Sequence, residues 1–157
     1  MKSIEEYIEQ LCREHKQIQH EVDGKCHYSC TADDNELKQS RKMRYPCIVL
    51  DVGEVYFPSD TMAETASILV LDHVKDAGNT KEVQAVFART KRIMLDFIRR
   101  MNRDKRQGTE PLMTRFQRSD VEGRRIYLDS ASLYGYYFSF SYATGFTDED
   151  CNNAFES

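Results

Sequence analysis

Between positions 81 and 103 apolar residues return every three or four places. Val83, Val86, Phe87, Thr90, Ile93, Met94, Phe97, Ile98 and Met101 line one face, while Lys81, Gln84, Arg89, Arg92, Asp96, Arg99, Arg100 and Arg103 fall mostly elsewhere. Such a stripe predicts a long amphipathic helix that must bury one face against something broad. Basic residues crowd its C-terminal end, where they complement the helix dipole. Thr80 is placed to cap its start, and Gly108 and Pro111 mark its exit.

The surrounding pattern supplies the partner. Residues 134–142 alternate with period two: Tyr136, Phe138, Phe140 and Tyr142 share one side, and Tyr137, Ser139 and Ser141 the other. Further strands are expected at Cys47–Asp51, Glu54–Phe57, Thr65–Val74, Leu112–Gln117 and Arg124–Asp129, with Gly53 as punctuation and a turn at Pro58. At the N-terminus, Ile4, Tyr7, Ile8, Leu11, His15, Ile18 and Val22 predict a second amphipathic helix over 3–22. Ser3 and Glu6 stand at capping-box spacing, and Gly24 is the stop. Residues 23–44 read as a long polar loop with a helical turn near Asn35–Gln39, and 144–157 as a loosely attached acidic tail. Strands in runs around one long helix predict the α+β class: a mostly antiparallel sheet carrying an N-terminal helix and a long central helix. Alternating βαβ units, and with them a Rossmann-like fold, are not expected.

The 157 residues suit a single domain over 1–157, and a 40% hydrophobic content argues against wholesale disorder. The first residues lack the continuous apolar stretch of a signal peptide, and no apolar run exceeds four residues, as at Ile68–Leu71, far short of a membrane span. Five cysteines, scattered at 12, 26, 30, 47 and 151, do not form the even, dense pattern of a secreted disulfide scaffold and read as reduced thiols.

Few residues suggest chemistry. His20, Cys26, His27 and Cys30 lie close enough to be zinc ligands, but the spacing is C-x3-C and no second knuckle follows, so ordinary loop residues are the competing reading. Asp72 and His73, with Asp76 nearby, could form a base-catalytic pair, yet no nucleophile sits in a G-x-S-x-G turn, and a plain strand-edge pair serves as well. No glycine-rich phosphate loop occurs.

Charge is the strongest asymmetry. Residues 81–125 hold thirteen Lys and Arg against six acids, net +7, leaving −11 for the rest of a chain whose total is −4. Such polarity suits a nucleic-acid surface, complementary faces of a self-assembling subunit, or simply a solvated helix. The aromatic strand likewise suits base stacking, a core, or a contact between subunits.

In its order of elements the chain resembles the tail terminator (tail completion) and head–tail neck proteins of long-tailed phages. The likeness rests on the N-terminal helix, the strand after Tyr45-Pro46-Cys47, the strand Ile68–His73 and the helix around Thr90-Lys91-Arg92-Ile93-Met94. It continues through the closing strand Gly135–Tyr142 and the ending Asp150-Cys151-Asn152-Asn153-Ala154-Phe155. The resemblance implies an α+β subunit that performs no chemistry, uses no cofactor or metal, and joins others in a ring, hexameric by expectation, at the tail end or head–tail junction. Tail or neck proteins would be its partners, and a bacterial cytoplasm and then a virion its location. No specific nucleic acid, membrane or small-molecule substrate is implied. Self-association is expected through Arg99, Arg100, Arg103, Lys105 and Arg106. The alternatives are a nucleic-acid-associated domain using the basic surface of 89–125, and a small hydrolase.

Overall fold

The computed structural model describes residues 2–22, 24–30, 43–58 and 61–147. It is an α+β structure. Among the described residues five strands run β1 (Cys26–Ser29), β2 (Met43–Tyr56), β3 (Thr61–His73), β4 (Arg124–Leu128) and β5 (Leu133–Thr147), with two helices, α1 (Ile4–Glu14) and α2 (Thr80–Gln107). The sheet order is β1-β2-β3-β5-β4. Only β1 and β2 pair in parallel.

The two middle strands carry the register. β3 and β5 pair antiparallel from Thr61 opposite Thr147 to His73 opposite Leu133. Period-two alternation then sends Ile68 and Val70 of β3, and Phe138, Phe140 and Tyr142 of β5, to one face, where they meet Ile93, Met94, Phe97, Ile98 and Met101 of α2. Ile4, Tyr7, Ile8 and Leu11 of α1 join the same core. A second apolar cluster, built on Cys47, Val49, Leu69, Leu71 and Leu133, belongs to the opposite face. Near the start of α2, Phe87 lies among Tyr127, Tyr134 and Tyr136, with ring centroids 5.3–5.9 Å away.

Several elements differ from the sequence expectation, each for a tertiary reason. The first helix stops at Glu14 and not at Val22. Past His15 the chain turns back so that Ile18 and His20 are buried, the His20 amide bonding to the Cys12 carbonyl and Gln19 and Glu21 taking positive φ. Burial of those two side chains outweighs the helical period of Ile18 and Val22, and Val22 is left exposed. Part of the expected 23–44 loop is strand: β1 and the first residues of β2 lie inside it. The helical turn placed at Asn35–Gln39 lies outside the described residues.

The two short strands expected at Cys47–Asp51 and Glu54–Phe57 are one strand with an irregularity between Val52 and Val55. Gly53 sits in it because a Cβ there would be 2.9 Å from Thr65 Oγ1, an atom that accepts the Glu54 amide at 2.9 Å. Residues 112–117 are not a strand. They form 3-10 turns at Pro111–Arg115 and Arg118–Asp120, and bury Leu112, Met113 and Phe116 at a spacing no strand provides. The helix cap is Asn79, whose side chain accepts the Glu82 amide, and not Thr80. The helix itself runs on to Gln107, closed by Gly108 at φ 66°. β5 continues to Thr147, past the expected start of the tail.

Two substitutions test this packing. Phe97→Ala empties a fully buried site under the sheet and should cost about 3–5 kcal/mol in urea unfolding. Gly135→Ala should cost more than about 3 kcal/mol, because its Cβ would lie 1.7 Å from the Val70 carbonyl oxygen, and neither paired strand can give way without breaking the register. A G135A protein with the parent's stability would show that the β3–β5 pairing is misplaced.

Candidate self-association surface

The basic residues of α2 divide by what they touch. Arg89 reaches the sheet, where Nε and Nη2 donate to Asp72 Oδ2 at 2.7 and 2.5 Å. Arg100 reaches α1, pairing with Glu14 at 3.2 Å and with Asp104 at 3.2 Å. Asp104 itself is buried and accepts the Tyr7 hydroxyl at 2.7 Å. Lys105 donates to the Phe116 carbonyl and so clasps the 3-10 turn. Arg125 lies over the Phe87 ring, 4.5 Å from its centroid. These cations tie the fold together.

Another set faces outward. Arg99, Arg103 and Arg106 recur at helical spacing, and with Asn102, Gln107 and Arg118 they line a groove of about 500 Å³. Arg118 comes from the second 3-10 turn, which forms the far wall. The lining contains four guanidinium groups, two amides and no carboxylate. Asp96 lies 3.6 Å from Arg99, and Asp104 lies 3.8 Å from Arg103; Arg106 and Arg118 make no ion pair with a described residue. Like charges at i, i+4 repel by a few tenths of a kcal/mol, a repulsion that an anion in the groove would relieve.

Of the five residues expected to self-associate, then, Arg99, Arg103 and Arg106 share the groove, while Arg100 and Lys105 are held by contacts inside the chain. Arg118 completes the groove. Sequence reasoning counted it as basic but did not single it out, because only the tertiary fold brings it beside α2.

The four residues that could have been zinc ligands are not brought together. Cys26 Sγ bonds to the Tyr28 carbonyl, Cys30 Sγ contacts the Tyr28 hydroxyl, and His27 Nδ1 contacts the Pro46 carbonyl. His20 instead gathers with Glu9 and Glu21. Its Nδ1 accepts the His27 amide at 3.0 Å, which leaves the neutral ring's proton on Nε2, 3.4 Å from each carboxylate. Arg13 already bridges those two carboxylates at 2.7 and 3.0 Å and holds Glu21 below the usual carboxylate range. A protonated Nε2 and a resident guanidinium fit an ion-pair knot and not a metal. Among the described residues Cys12, Cys26, Cys30 and Cys47 are in no disulfide.

Asp72 and His73 do not form a base pair either. Consecutive strand residues point to opposite faces. Asp72 takes Arg89 and the His73 backbone amide, while the His73 ring stacks on Tyr45. A separate cleft of about 490 Å³ between the end of α1 and α2 contains His15, but its imidazole has no spare nitrogen: Nδ1 accepts the Gln17 amide at 3.1 Å and Nε2 meets Asp96 at 3.0 Å. Among the described residues no helix is long and apolar enough to cross a membrane. No family model, curated protein or solved structure matches the chain.

The buried acids set an alkaline limit. Burial pushes up the thiols of Cys12 and Cys47 and the phenols of Tyr7, Tyr28 and Tyr142; the Asp104 hydrogen bond adds to Tyr7, the Cys30 contact to Tyr28 and Glu64 to Tyr142. A raised folded-state value means that the neutral group stabilises the fold below its unfolded pKa, and that this contribution is lost as pH rises. Stability should therefore fall from about pH 8.5 upward, where unfolded cysteine begins to ionise, and more steeply past about pH 10 for tyrosine. Urea midpoints across that range would check it, with Tyr7→Phe giving a shallower decline. An unchanged midpoint up to about pH 10.5 would contradict the burial of these groups.

Proposed function

We propose that this protein is a non-enzymatic virion-assembly subunit of a long-tailed phage or prophage, which forms a ring through head-to-tail contacts at the tail end or the head–tail junction. The observation that carries self-assembly is the arginine groove: four guanidinium groups, no lining carboxylate, on a chain whose net charge is negative. Two different patches of opposite sign pair heterologously, and such contacts close into a ring when the rotation per subunit divides a full turn. A two-fold contact through the groove would instead press arginines against their own copies. The resemblance to tail terminator and neck proteins supplies the phage setting and the partners. The occupied nitrogens of His15 and the outward turn of His73 give a hydrolase no support.

The same groove favours a second reading, a nucleic-acid-associated domain, since guanidinium groups also suit phosphodiesters. Salt dependence of DNA binding separates the two: phosphate contacts would give a steep loss of affinity between about 50 and 200 mM salt.

The ring reading predicts concentration-dependent, salt-sensitive self-association in sedimentation or light scattering, possible to complete only on a tail or capsid partner. Replacing Arg99, Arg103 and Arg106 together by Glu should weaken it while the thermal midpoint stays within a few degrees. Arg100 must be left intact, since its loss would leave Asp104 buried with less charge compensation. A chain that stays monomeric at high concentration and low salt, and that no tail or capsid protein recruits, would end this reading.

A further inference from the structure

The ring reading above leaves open what fills the arginine groove. The β2–β3 hairpin is the part of the chain chemically suited to it. Residues 45–72 contain five acids and no Lys, Arg or His. On β2, every residue from Asp51 to Tyr56 is exposed, and Phe57 follows them. Val52 is 40% exposed, Val55 50%, Tyr56 38% and Phe57 61%, which gathers four of the six exposed large apolar residues of the described chain onto one short segment. Asp51 and Glu54 are exposed among them and make no ion pair with a described residue.

The edge of this segment is also open. β1 pairs with β2 only as far as Val49, so β2 from Leu50 to Tyr56 has no strand on its outer side among the described residues. Exposed edges invite pairing with another chain, and an irregular, charged edge limits that pairing to a specific partner instead of open-ended stacking. Here the irregularity falls between Val52 and Val55, beside the Glu54 charge.

From these observations we infer that the exposed hairpin of one copy, residues 51–57, docks into the Arg99–Arg103–Arg106–Arg118 groove of the next. Asp51 and Glu54 supply the carboxylates the groove lacks. Tyr56 supplies an aromatic face on which a guanidinium plane stacks. Apolar anchors ringed by opposite charges are the usual make-up of a specific interface. Within one copy Arg115 Nη2 donates to Thr61 Oγ1 at 2.7 Å, which ties the turn end of the hairpin, just past Phe57, to the 3-10 turn. Asp51 and Glu54 do not reach the groove arginines of their own chain, so the charges are left for a neighbour. Because hairpin and groove are different patches, the contact is head-to-tail and propagates around a ring.

Charge reversal on the full chain tests this, with each variant's fold checked by circular dichroism. D51R/E54R and R106E/R118E should each weaken self-association by about tenfold or more and reduce its salt sensitivity. These positions avoid Arg100 and Lys105, which hold the fold. The chain carrying all four changes has an acidic groove and a basic hairpin, and should recover the parent's association. If D51R/E54R fails to fold, D51N/E54Q serves instead, with a smaller loss expected. A photo-crosslinker at Phe57 should capture a peptide from 99–118 of a second copy.

A ring that forms normally in D51R/E54R, or a fourfold variant no better than either double one, would overturn the hairpin contact and leave the ring reading standing. A parent that is monomeric under all conditions and unrecruited by tail or capsid proteins would overturn both. DNA binding abolished by R106E/R118E, with D51R/E54R leaving self-association unchanged, would assign the groove to phosphodiester instead.

Discussion

The apolar stripe of α2 pressed across β3 and β5 is the contact on which the remaining structure depends. Val86, Phe87, Ile93, Met94, Phe97, Ile98 and Met101 are all buried along it, each contributing about 1.5–3 kcal/mol. β3 and β5 are the two inner strands over which α2 lies, so their close pairing at Gly135 and Val70 sets the surface on which the helix rests. Two carboxylates then pin the helix near its ends. Asp72 takes Arg89 toward the start of α2, and Asp104 takes Arg100 and the Tyr7 hydroxyl near its close. The second pin also brings in α1, because Tyr7 lies on that helix and Glu14 pairs with Arg100.

These pins sort the positive charge. Burying a carboxylate is tolerable only with cations and donors around it, and Arg89 and Arg100 are turned toward Asp72 and Asp104 for that purpose. What remains outward on the last turns of α2 is Arg99, Arg103 and Arg106, and the 3-10 turns that bury Leu112, Met113 and Phe116 bring Arg118 up beside them. The arginine groove is thus a by-product of how the core closes. The hairpin's open edge has a similar cause: β1 is four residues long, so it pairs with β2 only as far as Val49, and no other strand of the described residues lies on that side.

Long periodic segments were legible in the residues themselves. The stripe from Val83 to Met101 and the alternation from Tyr136 to Tyr142 each repeat often enough to identify helix and strand, and they face one another as their patterns require. Short or ambiguous segments were not. Leu112, Met113 and Phe116 resemble a strand by composition, but Pro111 and the space between α2 and β5 turn them into a 3-10 plug. Ile18 continues the period of α1 and still leaves the helix, because His20 is drawn back under Glu9 and Glu21. Closeness in sequence likewise does not bring His20, Cys26, His27 and Cys30 together, and their side chains each find a different partner.

The residues alone determined the fold class, the two apolar faces that must meet and the basic bias of 81–125, because periodicity and composition are local properties that burial must satisfy in any arrangement. Only the tertiary structure decided which charges look inward. Arg99 and Arg100 are adjacent in sequence and equally basic, yet one faces a groove and the other holds Glu14 and Asp104. That difference comes from a rotation of about 100° per helical residue combined with where α1 happens to dock. It is a fact of packing, and no linear pattern contains it.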